Sequence, residues 1–279
     1  MGPHGGGNAE QPKLPIDGVK TLLAIGSGKG GVGKTTVSVN VAIALSHGGM
    51  RVGLLDADVY GPNVPLMMGI RDVPAAKGDR IQPLEQYGLR VMSMGFLNPG
   101  DKPLIWRGPM LNSVIQQFLR GVDWGDLDVL VIDLPPGTGD VQLSLIQTAP
   151  VTGAVIVTTP SEVSLEDARK AVQMFRQVRV EVIGMVENMS YMLVPGTDQR
   201  IDVFGQGGGR RTAEAMNVPF LGELVLEPAI RIGGDTGRPV ALLGAEDPKA
   251  AGFYAIARQV AARLTAPGVG SGPSMVISD

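Results

Sequence analysis

The sequence predicts an α/β protein, built on a doubly wound, mostly parallel sheet that is flanked by helices. Short runs rich in β-branched residues alternate along the chain with longer stretches of helical periodicity. Several of these runs are continuously apolar, as expected of parallel strands that helices cover on both faces. The chain has 279 residues, of which 44% are hydrophobic and only 18% charged, so it can bury a sizeable core.

Strands and helices are predicted to alternate from one end of this core to the other. The predicted strands are Leu22–Ile25, Val52–Leu55, Leu89–Met92, Val129–Ile132, Ala154–Thr158, Glu181–Val186 and Phe220–Leu224. The predicted helices are Thr35–Ser46, Met110–Arg120, Val141–Gln147, Leu165–Val178, Gly209–Met216 and Asp247–Leu264. No internal repeat divides the core, so we expect one domain over residues 18–264, with flexible tails at 1–17 and 265–279.

The composition excludes several classes of function. The chain contains no cysteine, which rules out disulfides, a thiol nucleophile and any metal or cluster held by its own thiolates. A net charge of −3 gives no reason to expect a nucleic-acid partner. No apolar run is long enough to cross a bilayer, and the N-terminus lacks the pattern of a signal peptide. We therefore expect a cytoplasmic protein without a membrane partner.

A glycine-rich loop after the first predicted strand indicates a phosphate site. Residues Gly28 to Thr35 fit the pattern G-x-x-x-x-G-K-[ST] in the required position between a strand and a helix. Glycines let successive backbone N–H groups surround a phosphate chain, and the helix N-terminus adds its partial positive charge. Lys34 is expected to reach the β- and γ-phosphates, and the Thr35 hydroxyl to ligate Mg²⁺. The predicted nucleotide contacts in the loop are Gly28, Gly30, Gly31, Val32, Gly33, Lys34, Thr35 and Thr36.

Aspartates follow two further strands at the edge where this loop begins. Asp56 and Asp58 close the second predicted strand, and side chains two residues apart on extended chain point to the same side. Asp56 is expected to support Mg²⁺ or the phosphate loop, although a pair of loop caps is the structural alternative. Asp133 ends an apolar strand in the Walker B arrangement, which places it near Mg²⁺. Gly137 and Gly139 are expected to let the following loop sense the γ-phosphate, as a switch II segment does.

The loop sequence KGGVGKTT resembles the deviant Walker A signature of the MinD/ParA/nitrogenase iron-protein group of ATPases. The resemblance implies that Lys29 reaches the nucleotide of a second subunit and stabilises transition-state charge there. It also implies that Asp58 orients the attacking water. Longer phrases resemble the Mrp/ApbC branch, the iron–sulfur cluster carrier ATPases, over residues 18–262. These phrases are LLDADVYGPNVPLMMG, VLVIDLPPGTGD, ENMSY, FGQGGGRRTAEAMNVPFLGELVLEPAIR and GDTGRPV.

The Mrp/ApbC resemblance implies a Mg²⁺-dependent ATPase that forms a homodimer around its nucleotide and carries a cluster to iron–sulfur client proteins. It implies that Asn188 bonds the adenine edge and that the segment from Val225 to Pro228 walls the base. The family typically carries Cys-x-x-Cys after the ENMSY phrase, at positions that correspond here to Val194 and Thr197. Neither side chain ligates iron as a thiolate does.

Two other functions remain open from the sequence. One is a nucleotide-switched scaffold whose dimerisation recruits partners without cluster chemistry. The other is a MinD/ParA-like positioning ATPase, which the acidic composition and the lack of a basic amphipathic C-terminal helix disfavour.

Overall fold

A nine-stranded sheet lies at the centre of the molecule, in a computed structural model that describes residues 13–97, 108–197 and 199–266. The described strands are β1 (Val19–Gly26), β2 (Val52–Asp56), β3 (Ala76–Lys77), β4 (Arg80–Ile81), β5 (Leu84–Gln86), β6 (Leu89–Ser93), β7 (Leu127–Asp133), β8 (Gly153–Thr158), β9 (Val182–Leu193), β10 (Arg200–Ile201) and β11 (Phe220–Val225). The described helices are α1 (Lys34–His47), α2 (Val64–Met68), α3 (Gly108–Arg120), α4 (Asp140–Thr148), α5 (Glu162–Gln177), α6 (Gly208–Ala215), α7 (Pro228–Asp235) and α8 (Pro248–Leu264). This architecture confirms the predicted fold class.

The order of the strands brings the predicted site residues to one edge of the sheet. The order is β10-β9-β8-β1-β7-β2-β6-β5, with β11 also paired to β9 and with β3 and β4 in a separate hairpin. All pairs in the large sheet are parallel except β5 with β6 and β9 with β10. Asp56 and Asp133 are register partners at the ends of β2 and β7, and Ile25 on β1 is also opposite Asp133. Three neighbouring strands therefore end beside the phosphate loop.

Apolar side chains cover the sheet on both faces. One buried cluster joins the sheet to α3 and α5 through residues such as Phe118 and Phe175. The other joins it to α1 and α8 through residues such as Ile43 and Phe253. This two-sided burial explains why the strand sequences are continuously apolar instead of alternating.

Every predicted strand and helix is present, but the sequence missed several short elements. The helices α2 and α7 escaped prediction because α2 has five residues and α7, with eight, contains two glycines, so neither shows a clear helical period. The strand β9 continues to Leu193, well past the predicted end at Val186. Its second half pairs with β11 and β10, a tertiary contact that local sequence does not reveal.

The predicted boundary of the N-terminal tail at residue 17 is wrong. Ile16 is only 5% exposed and belongs to the core cluster on the α3 side. Lys13 Nζ donates to the carbonyl of Ile146 at 2.9 Å, and the Arg120 guanidinium donates to the carbonyls of Leu14 and Pro15. These contacts hold residues 13–17 against the domain. The remainder of the two predicted tails, residues 1–12 and 267–279, lies outside the described residues.

Candidate functional site

A cavity of about 460 Å³ opens at the carboxyl edge of the sheet, above the ends of β1 and β2. This volume lies within the range of small-molecule and cofactor sites. The phosphate loop forms one side of it, while α2 and α7 form the opposite side. The lining residues are Ser27, Lys29, Gly30, Gly31, Val32, Gly33, Lys34, Thr35, Thr36, Asp58, Asn63, Leu66, Met67, Pro136, Asn188, Met189, Val225, Leu226, Glu227, Ile230, Arg231, Gly234 and Asp235.

Two glycines of the loop are required by close contacts with other elements. Gly33 has a φ of +80°, and a Cβ there would lie 2.2 Å from Nδ2 of Asn188. A Cβ on Gly28 would lie 2.1 Å from the backbone carbonyl of Asp167 on α5. Gly28 therefore contributes by letting the loop approach α5, and it does not itself line the cavity.

Lys34, Thr35 and Asp133 meet in a buried hydrogen-bonded cluster beneath the loop. Lys34 Nζ lies 2.7 Å from Asp133 Oδ1, and the two side chains are 6% and 0% exposed. The Thr35 hydroxyl donates to Asp133 Oδ2 at 2.7 Å. Ser38 adds a third partner, since its hydroxyl donates to Asp133 Oδ1 at 2.6 Å. The carboxylate of Asp133 thus orients the two side chains predicted to contact phosphate and metal.

Ser38 was missed at the sequence level, although its position on α1 carries a usable signal. Residues four apart on a helix share one face, so Ser38 lies one turn beyond Lys34 on the side that faces β7. A serine at this spacing from the loop lysine is suited to contact the aspartate that the lysine contacts.

Asp56 is fully buried and its carboxylate is occupied by the chain around it. Oδ2 accepts hydrogen bonds from the Ser93 hydroxyl at 2.9 Å and from Val64 N at 3.1 Å, and Oδ1 accepts from Asp58 N at 3.2 Å. Burial, followed by the charge of Asp133, raises the pKa of Asp56 to about 7. Asp56 does not line the cavity, so its placement favours support of the loop over direct contact with a metal ion.

Asp58 lines the cavity and is held by backbone N–H groups. Its Oδ1 accepts from Tyr60 N at 3.1 Å and from Gly61 N at 3.2 Å, while its side chain is 8% exposed. This turn is the loop-cap arrangement considered as the structural alternative for the aspartate pair. It also fixes the carboxylate at the cavity wall, so the two roles are compatible.

Lys29 lines the cavity on the loop side and is half-buried. Within the described ranges its ammonium has no ion-pair partner, in contrast to Lys34. The loop is braced locally instead by the Ser27 hydroxyl, which donates to the backbone carbonyl of Lys29 at 2.9 Å. The Lys29 charge is therefore free to meet an anion at the mouth of the cavity.

Asn188 and most of the segment predicted to wall the base line the same cavity. Asn188 Nδ2 donates to the carbonyl of Val32 at 2.9 Å, which links β9 to the phosphate loop. Val225, Leu226 and Glu227 line the cavity as predicted for the wall segment. Pro228, the first residue of α7, is not among the lining residues, so its predicted role as a base contact is not supported. Helices α2 and α7 supply most of the lining residues that the sequence missed, among them Met67, Ile230 and Arg231.

The segment that replaces the expected cysteines is a tight turn between β9 and β10. Thr197 N donates to the Val194 carbonyl at 3.1 Å, with Pro195 and Gly196 between them and a φ of +78° at Gly196. These features describe a type II turn. The Val194 side chain is half-buried and that of Thr197 exposed, and neither provides a soft ligand for iron.

The described residues contain no group of three or more His, Cys, Asp or Glu side chains that could hold a metal ion. Magnesium is compatible with this finding, because it is commonly bound through one or two protein oxygens together with phosphate oxygens. The Thr35 hydroxyl and the Asp133 carboxylate supply hard oxygen donors of this kind. Among the described helices, none is long and apolar enough to cross a membrane.

Residues 18–261 match the model of the ParA family that is described as NUBPL iron-transfer P-loop NTPase. The chain belongs to this family. An iron–sulfur cluster carrier protein of Synechocystis is 50% identical over 92% of this chain and 75% of its own length. The mouse iron–sulfur cluster transfer protein NUBPL is 46% identical over 90% of this chain and 79% of its own. These relatives confirm the predicted resemblance to the iron–sulfur cluster carriers.

Two solved structures share the fold of this chain. A nucleotide-binding protein from Archaeoglobus fulgidus in complex with ADP has a TM-score of 0.74 and 36% identity, covering 85% of this chain and 93% of its own. The cell division ATPase MinD of Pyrococcus furiosus has a TM-score of 0.64 at 23% identity, covering 87% of this chain and 99% of its own. The second likeness shows a shared fold and supports the P-loop NTPase architecture.

Proposed function

We propose that this protein is a Mg²⁺-dependent ATPase that acts as a nucleotide-closed homodimer in the iron–sulfur carrier family. The observation that carries this proposal is the buried cluster of Lys34, Thr35 and Asp133 beneath a cavity of nucleotide size. The ADP complex of the Archaeoglobus fulgidus relative supports a nucleotide in this cavity. Family membership and the paired loop lysines favour ATP hydrolysis over binding alone.

Each residue of the cluster has a distinct role in this proposal. The Lys34 ammonium binds the β- and γ-phosphates, and its ion pair with Asp133 holds it in place before the nucleotide arrives. Thr35 and Asp133 are the residues that would hold Mg²⁺, which neutralises phosphate charge when bound. Asp58 orients the attacking water from the cavity wall, where two backbone N–H groups fix its carboxylate.

Lys29 is the residue through which one subunit of the dimer takes part in hydrolysis at the site of the other. Its ammonium lacks an ion-pair partner in the described portion of the chain and lies at the cavity that a second copy would cover. In the closed dimer it reaches the nucleotide of the other subunit and stabilises charge on the transferred phosphoryl group.

The test of this function is ATP hydrolysis by Lys34→Ala in the presence of Mg²⁺. We expect hydrolysis to be lost, because the Lys34 ammonium is the positive charge that Asp133 holds beneath the loop. Lys249→Ala is the matched control, since Lys249 is exposed at the start of α8 and should keep wild-type turnover. Wild-type turnover in Lys34→Ala would show that the assigned site is wrong.

The cargo of this chain is a separate question, because its own side chains do not suit an iron–sulfur cluster. Reconstitution with iron and sulfide under anaerobic conditions, followed by desalting, should leave the wild type without a stoichiometric cluster. The double variant Val194→Cys/Thr197→Cys should hold one if two copies meet at this turn. A stoichiometric cluster on the wild type would contradict the ligand argument.

A nucleotide-switched scaffold is the second candidate, and the missing thiolates are the observation that favours it. In that case ATP would change the oligomeric state and the binding of a partner protein without any cluster. Both candidates dimerise with ATP, so size-exclusion chromatography with and without ATP tests the dimer that they share. Partner binding without a cluster, measured beside the iron–sulfide reconstitution above, distinguishes the scaffold from a cluster carrier. A cytoplasmic location and the absence of membrane or nucleic-acid partners stay predictions.

A further inference from the structure

Gln142 is a buried side chain whose hydrogen-bonding groups are both unused. Helix α4 buries three residues, Gln142, Leu145 and Ile146, and Gln142 is the polar one. It is 1% exposed, and neither its amide nitrogen nor its amide oxygen has a hydrogen-bond partner. In the part of the chain that the structure describes, the one other buried side-chain atom in this condition is Nε of Arg263. An unpaired buried amide is rare, because burial removes the water molecules that bond the amide and no protein group takes their place, which costs free energy.

The Gln142 amide lies directly below the start of the phosphate loop. A Cβ on Gly26, the last residue of β1, would be 3.0 Å from Nε2 of Gln142. The same Cβ would be 3.2 Å from the ring of Phe175 on α5. The amide thus lies between the backbone at Gly26 and the ring of Phe175. Because Gly26 has no side chain, the Gln142 amide can occupy this space.

The loop at residues 134–139, which precedes α4, connects this amide to the cavity. Leu134 N donates to the Ile25 carbonyl and Gly137 N to the Ser27 carbonyl, both at 3.1 Å, so the loop is tied to β1 by backbone bonds. Pro136 lines the cavity, where a Cβ on Gly30 would lie 3.8 Å from the Pro136 Cβ. A ligand in the cavity therefore meets this loop, and the loop leads directly into α4, which begins at Asp140.

The loop also has room to move. Added Cβ atoms at Gly137 and Gly139 would meet nothing within 4 Å, and Gly137 has a φ of +91°. The N-cap of α4 is Gly139, whose lack of a side chain leaves the first turn without a side-chain cap. The structure thus combines an unpaired buried amide with a loop that faces the ligand cavity and has open space around two of its glycines.

We propose that Gln142 is a positioning residue that biases the loop at 134–139 toward its nucleotide-bound arrangement. Its unpaired amide destabilises the arrangement described above, and movement of the loop on the γ-phosphate shifts α4 so that the amide finds partners. The bias follows because a ligand that prefers one of two arrangements shifts the population by its differential affinity. This inference rests on the proposed function, since the γ-phosphate is the group that the loop senses.

The test compares Gln142→Met with Gln147→Met. Methionine keeps the length of glutamine and removes its polar atoms, and Gln147 is an exposed residue of the same helix. Thermal unfolding is measured without nucleotide, and the Kd values for Mg²⁺–ATPγS and Mg²⁺–ADP are measured by calorimetry. We expect Gln142→Met to melt at a higher temperature than wild type and to bind ATPγS about tenfold more weakly, a difference of ~1.4 kcal/mol. Its affinity for ADP should change less than twofold, and Gln147→Met should match wild type throughout.

The other outcomes overturn the inference in distinguishable ways. A lower melting temperature for Gln142→Met would mean that a buried water already satisfies the amide in the absence of nucleotide. Equal weakening of ATPγS and ADP would indicate a general packing role without a γ-phosphate response. If the wild type binds neither nucleotide, the proposed function fails and the inference fails with it. Binding by the wild type with no effect at Gln142 refutes the inference alone.

Discussion

Replacing Ser38 with alanine tests whether the buried cluster around Asp133 depends on a residue outside the P-loop pattern. The Ser38 hydroxyl donates to Asp133 Oδ1 at 2.6 Å, and both side chains are fully buried. Hydrogen bonds from a neutral hydroxyl to a buried carboxylate contribute about 1.5–3 kcal/mol. Alanine removes the donor, fits the space and leaves the Asp133 charge with two partners instead of three.

We expect Ser38→Ala to lower the free energy of unfolding by ~2 kcal/mol. For a protein of this size that loss corresponds to a fall in Tm of about 4–8 °C. Ser46→Ala is the matched control on the same helix, because its hydroxyl donates to the Gly88 carbonyl at 3.2 Å in an exposed position. Both substitutions replace serine with alanine on α1 and so raise the intrinsic helix propensity equally. The difference in stability between the two variants therefore measures the buried hydrogen bond.

Thermal and urea unfolding measure the stability of both variants, and titration with Mg²⁺–ATP measures their nucleotide affinity. We expect the affinity of Ser38→Ala to fall several-fold, since Asp133 loses one of the bonds that orient it toward Lys34 and Thr35. If Ser38→Ala and Ser46→Ala were equal in both stability and affinity, the third partner of Asp133 would have no energetic role and the reasoning would be refuted.

Two further substitutions have matched controls in the chain. The hydrogen bond from Arg51 holds the pKa of Asp128 well below its ordinary value, so the carboxylate stabilises the fold above pH ~4 and loses this effect as pH falls further. Asp128→Asn should therefore lower the free energy of unfolding by ~1–2 kcal/mol at pH 7 and by less below pH 4. The control Asp126→Asn changes an exposed neighbour and should lower it less at pH 7, as urea unfolding across this pH range measures. Gly33→Ala places a Cβ on a residue with φ +80°, at 2.2 Å from the side-chain nitrogen Nδ2 of Asn188. Nucleotide affinity should therefore fall at least tenfold. Gly49→Ala, at φ +92° with nothing within 4 Å, should cost stability alone, and a loss of affinity there would contradict the contact argument.

The phosphate side of the site could be predicted from sequence because its signals are local. The loop pattern, the apolar strands and the aspartates that end them are contiguous, and parallel strands bring their carboxyl ends to one edge. Lys34, Thr35 and Asp133 accordingly lie within hydrogen-bond or ion-pair distance in the structure. Asp58 reached the cavity wall by the same rule, since it follows β2 at that edge.

The wall of the cavity opposite the phosphate loop could not be predicted from local pattern. Helix α7 begins at Pro228 and contains Gly233 and Gly234, which obscure its period. Burial of the Gln142 amide is equally invisible in sequence, because it depends on the packing of α4 against the end of β1 and on Phe175 of α5. These features arise from how separate elements meet, and a linear pattern does not encode that.

In the turn at residues 194–197, the backbone constrains some positions and leaves the side chains of others open. The backbone of a type II turn constrains its two central residues, here Pro195 and Gly196, whereas the outer positions accept most side chains. Val194 and Thr197 occupy those outer positions. Two substitutions at these outer positions can therefore change the ligand chemistry of this hairpin without changing the backbone of the turn. The fold does not decide whether this turn can hold a soft metal ion, because that capacity depends on two outer side chains.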